Sequence, residues 1–455
     1  MHPSTCASAA SRKADRAPRA PRPQCARCFR LPSACLQSTF PAPQQRSADT
    51  DMPSFSFGKS PKVHARTASS ANLSRSGEKR SFSIPANIIL LVIIALILCC
   101  GLITLYAVTR TETEYSITRQ LVGVAIGIVI MVAVWFFDYR RLANLIVPLI
   151  VLDAILILLP MVPGLGHEVN GATSWIRIGS LTFQPSELAK PVTILAIGAA
   201  TAQYQGSIVR GADFLKLLGI LLIPFVLLMR EDLGTALVIL IVGFCILLIG
   251  GVARRWLIIS VATAVVGVAA LLGINGVVND WTGGDVQLIR QYQMSRLLVF
   301  IDPDNPEYAD DAYNLNQAKI AVGSGELVGK GWGNATQSSG GFLPESATDF
   351  IFCVYAEQFG FVGAFILLVL YLALLLTALG IGLSSSDLYG SLIAAGIMAM
   401  WLFQIVENIG MDLGLMPITG IPLPFMSYGS SFMFTNFICV GLLLSVWSRR
   451  NDALG

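Results

Sequence analysis

Long apolar runs recur through this chain and constrain its fold more than any other feature. They lie near 86–108, 120–137, 142–162, 186–203, 213–229, 234–251, 255–275, 348–379, 388–411 and 431–448. About 20 apolar residues wound into a helix at roughly 1.5 Å per residue cross the hydrocarbon core of a bilayer. A single segment can do this only as a helix, because lipid offers no partner to a free backbone N–H or C=O. The chain therefore reads as an all-α polytopic membrane protein with about ten transmembrane helices. Its 54% hydrophobic and 13% charged residues, with a mean hydropathy of +0.67, exclude a soluble enzyme. A formal net charge of +3 calls for no nucleic-acid partner.

Basic residues set the orientation. Arg140 with Arg141, Arg210 with Lys216, Arg254 with Arg255, and Arg449 with Arg450 fall on the same side of the ten runs as the N-terminal tail. The positive-inside rule assigns that side to the cytoplasm, with both termini there. The large loop 276–347, between the seventh and eighth runs, is then extracytoplasmic.

Residues 1–84 carry fourteen Lys or Arg against Asp15, Asp49, Asp51 and Glu78, in a setting of Ser, Pro and Ala. Too few large apolar side chains are present to offset the entropy of ordering, so this reads as a disordered basic tail ahead of a membrane domain spanning 85–450. The composition changes near Met52, and the expectation is that translation starts there, with 1–51 a gene-model extension. Cys25 and Cys28 form a C-x-x-C, but no second pair completes a zinc site.

Polar chemistry concentrates between the runs. The stretch Asp302–Thr348 is long, acidic and glycine-rich, so it belongs in water or against a polar cavity. Pro163–Gln184 interleaves Trp175, Ile176 and Ile178 with polar residues, as a short interfacial hairpin or strand does. Arg230–Thr235 is a charged turn opening a helix. In Pro185–Lys190, Glu187 and Lys190 are three apart and share one helix face, where each can neutralise the other near the outer interface. Asn408, Asp412, Ser427, Tyr428, Ser430 and Ser431 cluster where Pro417, Gly420, Pro422, Pro424 and Gly429 break the helical pattern.

Five stretches, NGATSWIRIGSLTFQPSELAK, EDLGTALVI, NQAKIAVGSGELVGKGWGNATQ, FLPESATDFIF and NIGMDLGLMPITGIPLPFMSYGSS, occur in this order. Together they resemble the signatures of the RodA and FtsW group of shape, elongation, division and sporulation (SEDS) proteins, RodA-like in the third and fifth. The resemblance spans roughly residues 86–450. It implies a ten-helix peptidoglycan glycosyltransferase that polymerises lipid II, and carries undecaprenyl-linked glycan, on the outer face of the bacterial cytoplasmic membrane, for cell elongation or division. It also implies a class B penicillin-binding protein as partner. Small residues Gly390, Ala394, Ala395 and Gly396 offer a face on which that partner's single helix would pack.

Carried over by position, the resemblance makes Glu187, Lys190, Asp232, Arg296, Lys330, Glu345, Asp349, Ser427 and Tyr428 substrate-binding candidates. The chain departs from the family in two places. Ser430 replaces a usual glycine. Before Tyr313 the register of the D-P-x-x-D-P motif is blurred, so that Asp304, Glu307, Asp310 and Asp311 all remain candidates for the catalytic carboxylate, with Asp310 and Asp304 ahead of Asp311.

A carboxylate is wanted because a sugar hydroxyl is a weak nucleophile and needs a base as it attacks the anomeric carbon. The lipid diphosphate is already a good leaving group, and Lys190, Arg296, Lys330 or a divalent cation, Mg or Mn, would meet the charge developing on it. Two other classes compete. A lipid II flippase would place charges in paired, repeat-related helices. A noncatalytic scaffold for a penicillin-binding protein would tolerate loss of every outer carboxylate.

Overall fold

The computed structural model describes residues 85–110, 112, 114–169, 172–178, 181–229, 231–282, 295–296, 298–300 and 309–451. The tail 1–84 and the candidates Asp304 and Glu307 lie outside them. The main helices are α1 (Ala86–Val108), α2 (Ile117–Phe136), α3 (Ile146–Leu158), α4 (Pro185–Ala202), α5 (Gly211–Met229), α6 (Leu233–Ile249), α7 (Arg254–Thr282), α8 (Ala309–Ser324), α9 (Ile351–Leu383), α10 (Leu388–Asp412) and α11 (Ser430–Ser448). Six of these, α1, α2, α5, α9, α10 and α11, are long and apolar enough to cross a membrane, and two shorter apolar helices span Ile146–Met161 and Leu233–Ile249. The expected loop 276–347 is partly helical: α7 runs into its start and α8 lies within it.

The fold is mostly helical, with one correction to the all-α expectation. Gly166–Val169, Ala172–Ile178 and Leu181–Phe183 form a three-stranded antiparallel sheet, β1 to β3 in sequence order. Ile176 sits opposite Gly166 on one side and Phe183 on the other. Along β2, Ser174 and Ile176 are buried while Arg177 is exposed, the period-two alternation that the interleaved sequence carries. The sheet delivers the chain into α4, whose first residue is Pro185, where a missing N–H costs nothing.

Two ends of the bundle differ in chemistry. At one end Arg140 Nε lies 3.3 Å from Asp387 Oδ2, and its guanidinium also donates to the Arg449 carbonyl at 2.9 Å. Arg449 in turn faces Asp138 at 3.5 Å. Asp387 also caps α10, accepting the Gly390 N–H at 2.8 Å. At the other end lie Glu112, Tyr115, Glu345 and Ser346, with Ser346 donating to Glu112 at 2.7 Å.

Between these ends the helices meet through small residues, as expected where lipid removes the hydrophobic drive for association and close packing must replace it. Gly127 of α2 faces the Phe437 ring of α11, and Gly441 of α11 faces the Met131 carbonyl of α2. Trp401, fully buried, donates to Asn436 at 2.8 Å and rests edge-on against Phe425. The same rule overturns the expected partner face. A β-carbon on Gly396 would strike Ile194 and Ile246, one on Gly390 would strike Tyr139, and Ala394 is buried. These small residues are spent on packing inside the chain.

Candidate functional site

The loop-bearing end gathers most of the candidates. Lys190 Nζ lies 2.6 Å from Glu187 Oε1, one turn apart on α4, and both side chains are about as buried as Trp401. The Lys190 ammonium also sits 5.8 Å from the centre of the Phe432 ring. The pair thus faces α11 rather than lipid. One residue before α4, Gln184 donates its side-chain amide to Asp232 Oδ2 at 3.0 Å and its backbone N–H to Ser431 Oγ at 3.0 Å. The other Asp232 oxygen accepts the Thr235 N–H at 2.9 Å and caps α6. Asp232 is therefore a helix cap and a tie between α4 and α6, and it is close enough to interact electrostatically with both Glu187 and Asp349.

The start of α6 packs on the broken segment 419–421, since a β-carbon on Gly234 would meet the Thr419 carbonyl and Ile421 at 3.1 Å. Gly420 is the pivot here. Its φ of +72° favours glycine, and a β-carbon would stand 3.0 Å from Asp349 Oδ2 and 3.3 Å from an Arg296 guanidinium nitrogen. Asp349 and Arg296 so converge on one bare stretch of backbone. Withdrawal from water and the charge of Glu345 push the Asp349 carboxyl up to about 6, with Arg296 pulling it back. Glu407, buried on α10, accepts from Thr419 and stands near both. Asn408 next to it donates to the Asp349 and Ile421 carbonyls at 2.7 and 2.9 Å, tying the two strands of the site together.

Ser427 is wholly engaged in holding backbone. Its hydroxyl accepts from Leu423 N–H at 2.8 Å and donates to the Thr348 carbonyl at 2.7 Å. Tyr428 donates its N–H to the Ala347 carbonyl at 2.9 Å, and its ring meets Tyr115 edge-on. Tyr115 in turn donates to Glu345 Oε2 at 3.2 Å, and Thr348 donates to the same oxygen at 2.9 Å. Burial and the charges of Glu345 and Glu112 raise the Tyr115 phenol far above its ordinary range, so it stays a donor. Sequence reasoning missed Gln120, a buried residue in the first turn of α2. Its amide donates to the Ser427 carbonyl at 3.3 Å and its carbonyl accepts the Gly429 N–H at 3.1 Å. A buried Gln in an apolar run was the available signal.

Lys330 stands apart from this cluster, paired with Glu357 at 2.6 Å. Asp310 and Asp311 occupy the first turn of α8. Among the described residues, no three or more His, Cys, Asp or Glu are arranged to hold a metal ion.

A helical membrane domain with ion pairs and acids gathered at its loop-bearing end, opposite an arginine-rich end, defines a multi-pass membrane protein with a polar site at one membrane face. The chain belongs to the FtsW/RodA/SpoVE family of cell cycle proteins, whose family model matches residues 82–452. It is 34% identical over 372 residues to stage V sporulation protein E of Bacillus subtilis, covering 79% of this chain and 96% of that one. It is 34% identical over 414 residues to the peptidoglycan glycosyltransferase RodA of Treponema pallidum, covering 77% and 94%. Peptidoglycan glycosyltransferase MrdB of Escherichia coli K12 is 35% identical over 337 residues, covering 73% and 85%. Among solved structures, a chain of a peptidoglycan synthase complex that coordinates polymerization and crosslinking superposes with a TM-score of 0.64 at 29% identity, covering 79% of this chain and 97% of that one. Thermus thermophilus RodA gives 0.58 at 28% identity, covering 79% and 96%.

Proposed function

We infer that this chain is a peptidoglycan glycosyltransferase that polymerises lipid II into glycan strands on the outer face of the cytoplasmic membrane. The observation that carries the reading is the convergence of four separate family motifs, at Gln184–Lys190, Asp232, Thr348–Asp349 and Asn408–Ser427, on one end of the bundle. Four remote stretches of chain tied by side-chain hydrogen bonds make a preorganised site.

In this reading a carboxylate of the 302–311 stretch takes the proton from the attacking sugar hydroxyl as its oxygen bonds to the anomeric carbon. The bond to the diphosphate oxygen breaks, and inversion follows from direct displacement with one base. Arg296 would meet the negative charge that grows on the leaving diphosphate, and Lys190, buried against Glu187, would join it by exchanging that carboxylate for the phosphate. Mg or Mn belongs to the proposal through the hard carboxylate oxygens of the acidic stretch, which match such ions. Purified full-length protein given lipid II, alone and with a class B penicillin-binding protein, should yield glycan strands, and EDTA should suppress them until Mg or Mn is restored. No polymer under either condition would overturn the function, and indifference to EDTA would remove the metal.

The same reading holds that about ten helices cross the bilayer, with the tail 1–84 and the C-terminus in the cytoplasm and the loop containing α8 outside. It rests on the clustering of Arg140 and Arg449 at one end. Reporter fusions at Gly340 and Gly455 should respond as opposite sides, and a shared side would contradict it.

A further inference from the structure

The helix α9 is cut at Gly360, whose φ of +64° and ψ of −165° are not helical. A cut exposes carbonyls on one side and N–H groups on the other, and inside a membrane protein each needs a partner. The glycine-rich segment 325–337 supplies partners for two carbonyls and two N–H groups at the cut. Lys330 and Gly331 donate their N–H groups to the Glu357 and Gln358 carbonyls at 3.0 and 3.1 Å. Phe361 and Val362 donate theirs to the Glu326 and Leu327 carbonyls at 2.8 and 3.1 Å. The fit is backbone against backbone. A β-carbon at Gly325 or Gly329 would lie 2.1 Å from the Ala356 or Gln358 carbonyl oxygen, and one at Gly360 would lie 2.3 Å from Gly329 N.

Glu357 closes this joint. It is fully buried, and its Oε1 accepts from Lys330 Nζ at 2.6 Å, Thr336 N at 2.8 Å, Thr336 Oγ1 at 2.9 Å, Gln337 N at 3.3 Å and Ser324 Oγ at 3.4 Å. Ser324 is the last residue of α8; its hydroxyl donates to the Ala321 carbonyl at 2.9 Å and makes only the longer approach to Glu357, so the carboxylate holds the segment directly and lies against the end of the helix whose first turn carries Asp310 and Asp311. Lys330, in reaching Glu357 and Thr336 at 2.7 Å, is turned into the joint.

We propose that Glu357 is a positioning residue for the polymerisation inferred above: it locks the glycine-rich segment into the break of α9, against the end of α8, and takes Lys330 as its counter-ion, so that Lys330 serves the lock and not the substrate diphosphate. The proposal rests on the polymerase reading for its activity readout and on the joint alone for its exchange readout.

The test uses full-length Lys330→Met, Glu357→Gln and the double variant, with lipid II polymerisation and amide hydrogen exchange of residues 325–337 both measured. Lys330→Met strips the counter-ion from a buried carboxylate, and kcat should fall about tenfold or more with KM for lipid II unchanged, while exchange of the segment rises. The double variant removes the charge together with its partner while keeping an acceptor for Thr336 and Gln337. Its kcat should return to within about threefold of wild type, and its exchange to the wild-type pattern. A double variant as inactive as Lys330→Met, or a raised KM in both, would assign Lys330 to the substrate and overturn the proposal. The double variant carries no unpaired charge and decides alone if Lys330→Met does not accumulate. If the wild type makes no polymer, the function falls by itself, and exchange still decides the lock: unchanged protection in Lys330→Met and in Glu357→Gln would overturn it.

Discussion

Asp310→Asn is expected to lower lipid II polymerisation by about two to four orders of magnitude while leaving the yield and melting temperature of the protein close to wild type. The size follows from the role: an amide keeps the shape of the side chain but cannot take a proton from the attacking hydroxyl. Stability should hardly change, because Asn keeps the size and shape of Asp and removes only its charge. Asp304→Asn, Asp311→Asn and Glu307→Gln complete the series, with Asp304 second in expectation. A single large loss among the four, with yield preserved, would identify the base. Wild-type polymerisation by all four would remove the general-base assignment altogether.

Much of this architecture is written in the sequence because lipid makes the code simple. A run such as Ala86–Val108 has one available structure, and the caps Asp232 and Asp387 are ordinary N-cap residues at the starts of such runs. The hairpin before α4 was legible from its alternation, although the fold class built on helices alone omitted it. Less legible was what each polar residue does. Ser427 and Asp232 look like substrate groups in a list of motifs, yet both oxygens of Asp232 and the hydroxyl of Ser427 are committed to holding the protein together. The cut at Gly360 leaves no trace in hydropathy, since Ile351–Leu383 reads as one apolar run, and only the close approach of Gly329 explains it. Gly390 and Gly396 suggested an open face because a small residue permits approach by any helix. Sequence does not say whether the helix that comes is the chain's own.

Lys190→Met is expected to be the most damaging single change in the membrane bundle. Glu187 is 3% and Lys190 2% exposed, so each charge has given up nearly all of its water. The 2.6 Å contact between them compensates Glu187 Oε1, while Glu187 Oε2 has no hydrogen-bond partner among the described residues. Removing the ammonium strands that carboxylate, at a cost of about 3–5 kcal/mol for a broken buried pair. Against a typical stability of roughly 5–15 kcal/mol, that is enough to lower the melting temperature steeply and to reduce accumulation in the membrane. The double variant Glu187→Met with Lys190→Met removes both charges and should recover most of the lost stability, because replacing a buried ion pair with apolar residues of similar volume is often close to neutral. Polymerisation should not recover with it. In the proposed mechanism the Lys190 charge helps to hold the substrate diphosphate, and losing one such electrostatic contact costs about two to three orders of magnitude in rate. Melting in detergent and polymer yield from lipid II, measured on the same preparations, separate the two roles. A double variant that is stable and polymerises like wild type would reduce the pair to a packing device and remove both residues from the substrate site.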